Sequence, residues 1–333
     1  MRITKRVRLL TAYTPGEQPK QRGVVKLNTN ENPYLPSPKC ARVLKDFDLE
    51  KLRKYPDPVF TELRLALARL NGTSPENIFV GNGSDEILSL AVRTFVEDDE
   101  AIGSLDPSYS LYTTLADIRG VPWNTGKISL MLWTNPNAPT GEFAEPKAIA
   151  DFARRFKGVV LVDEAYADFA RANAMALATA KGNRNVIVMR TFSKSYSLAG
   201  LRVGYCVGPK DLIAALYKMK DSYNVDAIAQ AVALAAVRDQ AWMRRNVRRI
   251  LATRRRLTRE LERRGWCVTP SEANFVFAKP ARIAAKRLFR ALRERNIFVR
   301  FFDKPKTRDF LRITIGTDDQ IDELLRTIDE LTV

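Results

Sequence analysis

The sequence predicts an α/β protein, with a large domain on a mainly parallel sheet and a smaller α+β domain. Short, continuous apolar runs such as 159–162 and 186–189 alternate with stretches of helical apolar spacing. Strands that are apolar throughout are typical of a parallel sheet covered on both faces. A chain of 333 residues also exceeds what one hydrophobic core usually supports, so two domains are expected.

The large domain is predicted over residues 41–225. Its helices place apolar residues three and four positions apart, whereas its strands are apolar without interruption. In chain order we predict a helix over 59–70, a strand over 78–80, a helix over 85–95, a strand over 130–133, a helix over 147–156, and strands over 159–162, 186–189 and 201–207.

The smaller domain is predicted over residues 226–333, where the pattern changes. It begins with a long basic helix around 244–264, and strands and helices then follow without the βα alternation of the large domain. We predict strands over 274–277, 297–300 and 311–315, and helices over 283–293 and 317–331. This mixture is typical of an α+β unit.

Composition excludes several functional classes. The chain contains no histidine, which removes Ser-His-Asp and Cys-His catalysis and histidine-based metal sites, so no metal is expected. Proton transfer then falls to Lys, Tyr, Asp, Glu, Cys or a cofactor. Cys40, Cys206 and Cys267 lie far apart and are interpreted as free thiols in a reducing cytoplasm. No apolar run or leader pattern predicts a membrane span or a secretory signal.

The net charge of +17 is concentrated in one predicted helix. Its arginines are Arg244, Arg245, Arg248, Arg249, Arg254, Arg255, Arg256, Arg259, Arg263 and Arg264. One interpretation is a surface that binds nucleic acid or another anion. A solvated helix face is favoured instead, because the intervening apolar residues keep a helical period and can pack while the arginines face water.

Three predicted strands end in polar residues, which is where open α/β sheets place their sites. Asp163 follows the run 159–162, and its carboxylate can pair with a cation, although a helix cap or a metal ligand is the simpler alternative. Lys194 follows the run 186–189 among small hydroxyl residues. Near other cations its pKa would fall and its amine would become a nucleophile suited to Schiff-base chemistry; an ordinary surface lysine is the alternative.

The third strand runs into the glycine-rich segment 81–84 at the start of a predicted helix. Glycines at that place allow backbone N–H groups to surround a phosphate, and a plain tight turn is the alternative. A short glycine-rich loop is weak evidence by itself. The turn-rich segment 134–141 is expected to form a rigid loop.

Taken in order, these segments resemble the fold-type-I aminotransferases, and within them the histidinol-phosphate aminotransferases. The superfamily motifs are 135–141 (NPNAPTG), 163–166 (DEAY) and 193–205 (SKSYSLAGLRVGY). The segments that narrow the resemblance are 27–33 (LNTNENP), 55–58 (YPDP), 81–86 (GNGSDE), 106–112 (DPSYSLY), 272–275 (EANF) and 311–316 (LRITIG). The resemblance covers nearly the whole chain.

The resemblance implies pyridoxal 5′-phosphate as cofactor and assigns roles to matching residues. Lys194 would hold the cofactor as a Schiff base and carry protons, and Asp163 would pair with the protonated ring nitrogen. Tyr166 would hydrogen-bond the ring hydroxyl, and Tyr109 would stack on the ring.

The same resemblance implies a phosphate site. Backbone groups of Ser84 and Asp85 would bind the cofactor phosphate together with the side chains of Thr191, Ser193 and Arg202.

A homodimer and a substrate site are also implied. Tyr55 would reach the phosphate of the neighbouring subunit's cofactor, and residues 1–40 would form an arm that joins the small domain and the dimer contact. Arg312 would bind the carboxylate of glutamate or the phosphate of histidinol phosphate. Arg300, Tyr13 and Asn32 are further candidates on the substrate side.

Two departures from the family pattern stand out. Ala138 occupies the position of an Asn that contacts the ring hydroxyl in many relatives, so Asn135 or Asn137 is expected to replace that contact if it is made, and Asn137 is taken as the cofactor-binding candidate. The segment 110–138 is short for the family, which predicts a trimmed strand or crossover helix over the large domain.

The implied activity transfers an amino group between histidinol phosphate and 2-oxoglutarate in histidine biosynthesis. The expected partners are a phosphorylated amine and a 2-oxo acid, in a cytoplasmic homodimer without membrane contact and without nucleic acid. An aromatic amino-acid aminotransferase and a threonine-phosphate decarboxylase are the alternatives within the enzyme class. An anion-binding regulator, suggested by the basic helix, is the alternative outside it.

Overall fold

The computed structural model describes residues 2–332, in which twelve strands form three sheets. The strands are β1 (Val25–Lys26), β2 (Ile78–Gly81), β3 (Ala101–Ser104), β4 (Ile128–Thr134), β5 (Val159–Asp163), β6 (Val186–Thr191), β7 (Gly204–Val207), β8 (Cys267–Thr269), β9 (Phe275–Lys279), β10 (Ile297–Phe298), β11 (Arg300–Phe301) and β12 (Leu311–Thr314).

The large sheet has six strands in the order β2-β7-β6-β5-β4-β3. Strands β3, β4, β5 and β6 pair in parallel, and β7 runs antiparallel to both of its neighbours. This confirms the predicted mainly parallel sheet. Thr134 lies opposite Asp163, and Asp163 lies opposite Met189, so the carboxyl ends of β4, β5 and β6 meet at one edge of the sheet.

Twelve α-helices surround the sheets in the described part of the chain. They are α1 (Lys5–Leu9), α2 (Pro38–Lys45), α3 (Thr61–Asn71), α4 (Ser84–Phe95), α5 (Leu111–Arg119), α6 (Pro146–Arg155), α7 (Met175–Thr179), α8 (Lys210–Met219), α9 (Ala227–Val237), α10 (Gln240–Arg263), α11 (Ala285–Glu294) and α12 (Asp318–Thr332). Short 3-10 helices lie at Leu49–Arg53, Pro75–Asn77, Ala167–Phe169 and Ala199–Leu201.

Two hydrophobic cores lie on the two faces of the large sheet. Leu161 and Ile187 point into one core with side chains of α4, α5 and α8, whereas Val160, Val162 and Val188 point into the other. Burying each such side chain stabilises the fold by roughly 1.5–3 kcal/mol. The continuous apolar runs in the sequence therefore reflect strands that are covered on both faces.

The C-terminal part contains an antiparallel sheet in the order β11-β12-β9-β8, and β1 pairs in parallel with β10. The predicted strand 297–300 is thus two short strands in different sheets. Helix α10 buries Val247, Ile250, Leu257 and Leu261 on one side, as its helical period predicted. This arrangement is the predicted α+β unit, while the limits 1–40, 41–225 and 226–333 stay a prediction.

The segment that the sequence suggested was trimmed retains its crossover helix. Helix α5 connects β3 to β4, and only the following segment is short: Trp123 forms a single bridge with Ile102 instead of a strand. Strand β3 and helix α5 escaped sequence analysis. Strand β3 has four residues, one of them glycine, so its apolar signal is weak.

No helix within residues 2–332 combines the length and the apolar character needed to cross a membrane.

Candidate active site

The carboxyl ends of β4, β5 and β6 open into a cavity of about 500 Å³. The predicted site residues that line it are Tyr13, Ser84, Asp85, Tyr109, Asp163, Tyr166, Thr191, Ser193, Lys194, Arg202, Arg300 and Arg312. Its volume is within the usual range for small-molecule sites, roughly 300–1,000 Å³. Asn32, Asn137 and Tyr55 were also predicted, and they lie elsewhere.

The cavity has two walls that come from different parts of the chain. The large-sheet wall comprises Ser84, Asp163, Thr191, Ser193 and Arg202, which follow or end elements of the large sheet. The C-terminal wall comprises Arg300, Phe302 and Arg312, from β11, the residue after it, and β12. The nearest members of the two groups, Arg202 and Arg300, are 98 positions apart in the sequence, and folding brings both groups to one cavity.

The half-buried Lys194 side chain lines the cavity, and its amine donates to the Thr29 carbonyl at 3.1 Å. Burial lowers the pKa of this amine to about 8, and the neighbouring Arg312 charge adds to the effect. A lysine with a lowered pKa is more often neutral, and the neutral amine is the nucleophile. The Asn32 amide does not line the cavity; it donates to the Lys194 and Ser195 carbonyls and so holds the lysine loop.

The Asp163 carboxylate ends β5 and is 4% exposed. Its Oδ2 accepts from the Tyr112 hydroxyl at 2.8 Å, and its Oδ1 accepts from the Ala165 backbone N–H at 3.1 Å. Burial raises the pKa of Asp163 to about 6, against the two hydrogen bonds that favour the charged form. A buried carboxylate of this kind seeks a cation, which a protonated ring nitrogen would supply.

The start of α4 is a candidate anion site. Gly83 precedes the helix with φ of 79°, and the helix start has no side-chain cap, so its first N–H groups remain available. A Cβ on Gly83 would lie 2.6 Å from the Arg202 guanidinium, so glycine permits the close approach. The Arg202 guanidinium lies 3.4 Å from the Ser193 hydroxyl, which in turn is 3.0 Å from the Thr191 hydroxyl.

A carboxylate also reaches this anion site. The Asp85 side chain accepts from Arg202 at 3.3 Å and from the Tyr109 hydroxyl at 3.4 Å. Tyr109 lies edge-on to Tyr13, with ring centroids 6.3 Å apart. The predicted phosphate-binding residues therefore lie together. The Asp85 carboxylate holds the Arg202 guanidinium in place, and a phosphate would accept from the same guanidinium.

The Tyr166 hydroxyl is held by a partner that sequence analysis missed. The Asn30 amide donates to it at 2.9 Å, and the Thr314 hydroxyl donates to Asn30 Oδ1 at 3.0 Å. Asn274 donates to the Asn30 carbonyl at 3.0 Å. Only tertiary contact joins these residues, because they come from four distant segments of the sequence.

The loop 135–141 contains Ala138, which lines the cavity, and two asparagines that were expected to take over its missing contact. The Asn135 amide is bonded to Ala144 through both its oxygen and its nitrogen. The Asn137 amide donates to the Pro107 carbonyl and the Thr140 hydroxyl, both at 3.0 Å. Both amides thus brace the loop, and neither lines the cavity in place of the missing Asn.

Arg312 is the most unusual group of the C-terminal wall. Its guanidinium donates to the Asn28 carbonyl at 3.0 Å and lies over the rings of Phe275 and Phe302. Its Nε is buried and has no hydrogen-bond partner among residues 2–332. Burial lowers the pKa of Arg312. An unpaired donor on a buried cation is costly, and an anionic ligand would satisfy it.

The N-terminal arm forms part of the cavity through Tyr13, Pro15 and Gly16. Arg300 donates to the Thr14 carbonyl at 3.1 Å and to the Pro15 carbonyl at 3.3 Å. Arg300 therefore fastens the arm as well as lining the cavity.

Tyr55 lies away from the cavity. Its side chain is 80% exposed and stacks on Tyr223 with ring centroids 4.3 Å apart. Leu49 and Leu52, just before it in sequence, are 73% and 53% exposed. Apolar exposure of this extent is typical of a surface that another chain covers.

A buried ion pair behind the lysine loop was also missed. Glu164 follows Asp163, is fully buried, and accepts from Arg190 at 2.8 and 3.0 Å. Arg190 also lies 3.8 Å from Asp168, which accepts from the Ser195 hydroxyl. The network therefore links the residues next to Asp163 and Lys194 across β5 and β6. The sequence shows the residues Glu164 and Arg190, but it does not show that they form an ion pair.

The basic helix α10 has a largely structural explanation. Arg256 pairs with Asp318 and Asp322, and Arg264 pairs with Asp329, all on α12. Arg254 donates to the Ala273 carbonyl at 2.7 Å. These contacts fasten α10 to its neighbours, and other arginines of the helix are exposed as the solvated-face interpretation expects.

A buried amine with a pKa near 8, beside a carboxylate and an anion cradle, provides what pyridoxal-dependent chemistry at amino acids requires. With the mainly parallel sheet and the α+β unit, this site defines the class as the fold-type-I aminotransferases. The model of the family Aminotransferase class I and II matches residues 22–129 and 124–328. The chain belongs to this family.

Individual relatives agree with that assignment. The chain is 44% identical to histidinol-phosphate aminotransferase 1 of Bradyrhizobium diazoefficiens, over 98% of this chain and 97% of the relative. It is 43% identical to histidinol-phosphate aminotransferase 1 of a Nostoc species, over 98% and 96% respectively. Among solved structures, histidinol-phosphate aminotransferase from Sinorhizobium meliloti, in complex with pyridoxal 5′-phosphate, superposes with a TM-score of 0.89 at 26% identity, covering 99% of this chain and 98% of that one.

Family membership confirms the predicted resemblance, fold and enzyme class: this is a pyridoxal-phosphate-dependent aminotransferase. The roles assigned to individual residues stay predictions, to which the geometry adds distances and partners.

Proposed function

We propose that the chain transfers an amino group between histidinol phosphate and 2-oxoglutarate, a step of histidine biosynthesis. The observation that carries this proposal is Arg312, a buried cation with an unpaired Nε, in addition to the anion site at Arg202. One anion site serves the cofactor phosphate, so a second serves a substrate that carries its own phosphate or carboxylate. The similarity to histidinol-phosphate aminotransferases over nearly the full chain supports this choice of donor.

The residues present fit pyridoxal phosphate. Lys194 would be the covalent anchor, Asp163 the partner of the ring nitrogen, and Tyr166 a donor to the ring hydroxyl. The start of α4 at Ser84 and Asp85, with Thr191, Ser193 and Arg202, would hold the phosphate, and Tyr109 would pack on the ring. When bound, the cofactor supplies a reactive aldehyde carbon and a ring that accepts the electron pair released at the substrate α-carbon.

The Lys194 amine moves the proton. Its lowered pKa, about 8, lets Nζ exist as a base near neutral pH and return the proton as an acid. The Asn32 contacts to the Lys194 and Ser195 carbonyls hold the loop while the side chain moves. Positioned acid–base catalysis of this kind contributes roughly 10²–10⁴-fold to rate.

Asp163 and Tyr166 hold the reacting group in place. Asp163 keeps a proton on the ring nitrogen because its buried negative charge favours a cation next to it. The Asn30 amide already donates to the Tyr166 oxygen, so the phenol proton is free for the ring hydroxyl. Tyr166 and Asn30 then carry the contact for which Ala138 has no side-chain group.

The C-terminal wall and the arm select the substrate. Arg312 binds the donor phosphate, and in the second half of the reaction the carboxylate of glutamate that takes the place of this phosphate, by a charge-assisted fork. Arg300 and Tyr13 shape the entrance, because Arg300 fastens the arm on which Tyr13 lies.

The test is a spectrum followed by a donor panel. Purified protein with cofactor is expected to show a visible absorption band. Borohydride should then attach the cofactor irreversibly to Lys194, and peptide mass spectrometry would locate the modified lysine. Histidinol phosphate should bleach the band before reduction, and 2-oxoglutarate should restore it.

The panel separates the alternative enzymes. Bleaching by phenylalanine but not by histidinol phosphate would replace the proposal with an aromatic aminotransferase. Release of CO2 from threonine phosphate would replace it with a decarboxylase. Lys210→Ala, an exposed lysine, is the matched control for Lys194→Ala and should keep the band.

The same proposal includes a homodimer with Tyr55 acting in the neighbouring subunit. The exposed Tyr55–Tyr223 stack and the exposed leucines beside it support a covered surface. A cytoplasmic location is also part of the proposal, and the three free cysteines fit a reducing compartment.

Subunit mixing tests the role of Tyr55. Tyr55→Phe should bind the cofactor more weakly, and Lys194→Ala should be inactive. A hybrid of the two variants contains one intact site if Tyr55 acts across the interface, so normal cofactor affinity and turnover should return in that site. No recovery in a hybrid that forms would place Tyr55 outside the neighbouring site.

A further inference from the structure

Tyr112 lies on α5 and is completely buried beneath the large-sheet wall. Its hydroxyl is 2.8 Å from Asp163 Oδ2 and 2.6 Å from the Thr134 hydroxyl. Tyr112 does not line the cavity, and the roles proposed above do not use it. A phenol placed so deeply against a carboxylate calls for an explanation, because buried polar groups are retained only where they are paired.

The direction of these hydrogen bonds can be worked out. An ionised carboxylate only accepts, so the single phenol proton of Tyr112 goes to Asp163. The Thr134 hydroxyl must then donate to the Tyr112 oxygen. The Ser108 hydroxyl donates to Asn137 Oδ1 at 3.1 Å, so its proton is not directed at the Thr134 hydroxyl 3.2 Å away. The series of donors that ends at Asp163 therefore begins at Thr134 and continues through Tyr112.

This series of donors acts on the charge of Asp163. The Tyr112 hydrogen bond favours the ionised carboxylate, whereas burial favours the neutral acid. The other charged groups that face Asp163 are Lys194, which also favours ionisation, and Asp85, which opposes it. Lys194 changes its charge during the reaction, whereas Tyr112 stays neutral, because burial and the Asp163 charge keep its pKa far above the ordinary value.

We propose that Tyr112 is a positioning residue that keeps Asp163 ionised and thereby keeps the cofactor ring nitrogen protonated. The proposal rests on the proposed pairing of Asp163 with that nitrogen. Thr134 supports it by fixing the direction of the phenol. In a chain without histidine, a neutral phenol provides a donor to Asp163 that does not itself titrate near neutral pH.

The test compares Tyr112→Phe with wild type in the cofactor-bound enzyme. The visible band should titrate at higher pH in the variant, because a ring nitrogen with less positive charge repels the proton on Lys194 Nζ less. The dissociation constant for pyridoxal phosphate should increase about 10- to 100-fold, the usual effect of losing a hydrogen bond to a charged group. For the donor, kcat should fall more than KM rises.

A cofactor analogue separates this role from packing. In 1-deazapyridoxal phosphate a carbon replaces the ring nitrogen, so Tyr112→Phe and wild type should bind it with similar affinity. Tyr217→Phe is the matched control, since its hydroxyl donates to the Ile78 carbonyl at 3.3 Å, on β2 at the edge of the large sheet and not at Asp163. It should leave the titration of the band unchanged.

If Tyr112→Phe loses the same affinity for pyridoxal phosphate and for its deaza analogue, Tyr112 has only a packing role and the inference is wrong. If Tyr112→Phe does not fold, Thr134→Val carries the test, with a smaller shift expected in the same direction and no shift contradicting the proposal. Asp163→Asn tests the assumed pairing of Asp163 with the ring nitrogen. If the visible band of Asp163→Asn titrates as in wild type, the proposed role of Asp163 is wrong. If the band shifts in Asp163→Asn but not in Tyr112→Phe, only the inference about Tyr112 is wrong.

Discussion

The two walls of the cavity differ in how completely their polar side chains are paired. In the large-sheet wall, both Asp163 oxygens accept hydrogen bonds and Arg202, Ser193 and Thr191 contact one another. In the C-terminal wall, the buried Arg312 Nε lacks a partner within residues 2–332. A paired wall is organised for a resident group, whereas an unpaired cation is organised for a ligand that enters and leaves.

This difference matches the reaction of an aminotransferase. The cofactor remains in place through both halves of the cycle, so its wall profits from fixed, satisfied contacts. The substrate changes between halves, so in its proposed role Arg312 would bind anions of different shape. A fully satisfied Arg312 would have to break protein contacts each time a substrate bound.

The largest expected effect is at the residue between the two walls. Lys194→Ala should lower kcat by at least about 10⁴-fold, since it removes the acid–base group, worth roughly 10²–10⁴-fold, together with the covalent anchor. Single-turnover kinetics would measure the loss, and Lys210→Ala should remain within about twofold of wild type. Undiminished turnover in Lys194→Ala would contradict the whole assignment of the site.

Arg312→Ala should lower kcat/KM for histidinol phosphate by about 100-fold or more, because truncating one partner of a buried charge pair costs about 2–5 kcal/mol. Arg312→Lys should recover only part of the loss, since an ammonium cannot form the planar fork. The matched control is Arg255→Ala, an exposed arginine of α10 with no ion pair among the described residues. Equal effects of Arg312→Ala and Arg255→Ala would erase the contrast between a site arginine and a surface arginine.

Asp163→Asn should separate stability from function. Burial raises the pKa of Asp163 from 3.8 to about 6, so the folded protein holds this proton more tightly than the unfolded chain. Its contribution to stability is therefore greatest at low pH and is lost as pH rises through about 4 to 6, a loss of about 3 kcal/mol above that window.

Asn carries no charge, so cofactor-free Asp163→Asn should be more stable than cofactor-free wild type at pH 8, by up to about 3 kcal/mol, with the advantage shrinking towards pH 4. Denaturant unfolding at both pH values and one protein concentration measures the difference. Equal unfolding free energies at pH 8 would indicate that the Tyr112 and Ala165 hydrogen bonds fully offset the burial of the carboxylate.

The smallest expected effect is a shift in a pH profile that couples the walls. Since burial and Arg312 lower the pKa of Lys194 to about 8, cofactor capture by the cofactor-free protein should accelerate about tenfold per pH unit up to pH 8 and then level off. In Arg312→Gln the levelling should occur at higher pH, because the amine loses a neighbouring positive charge. Stopped-flow absorbance would follow the capture, and a plateau that stays at pH 8 would limit the cause to burial.

Much of this architecture was predictable because it depends on local sequence patterns, namely apolar runs and short motifs. Apolar runs gave β4, β5, β6 and β9, and the motifs around Asp163, Lys194 and Arg202 gave the large-sheet wall. Strand β3, with four residues including a glycine, and helix α9, apolar on all sides, carry little periodic signal and were missed.

The sequence alone established which candidate reacting groups are present and in what order, because a motif fixes residue types at strand ends. Only the tertiary structure determined the hydrogen-bond partners of these side chains: Tyr112 bonds Asp163, Asn30 bonds Tyr166, and Asn137 bonds its own loop. Hydrogen bonds depend on distances of about 3 Å between groups that are tens or hundreds of residues apart, and sequence spacing does not encode such distances.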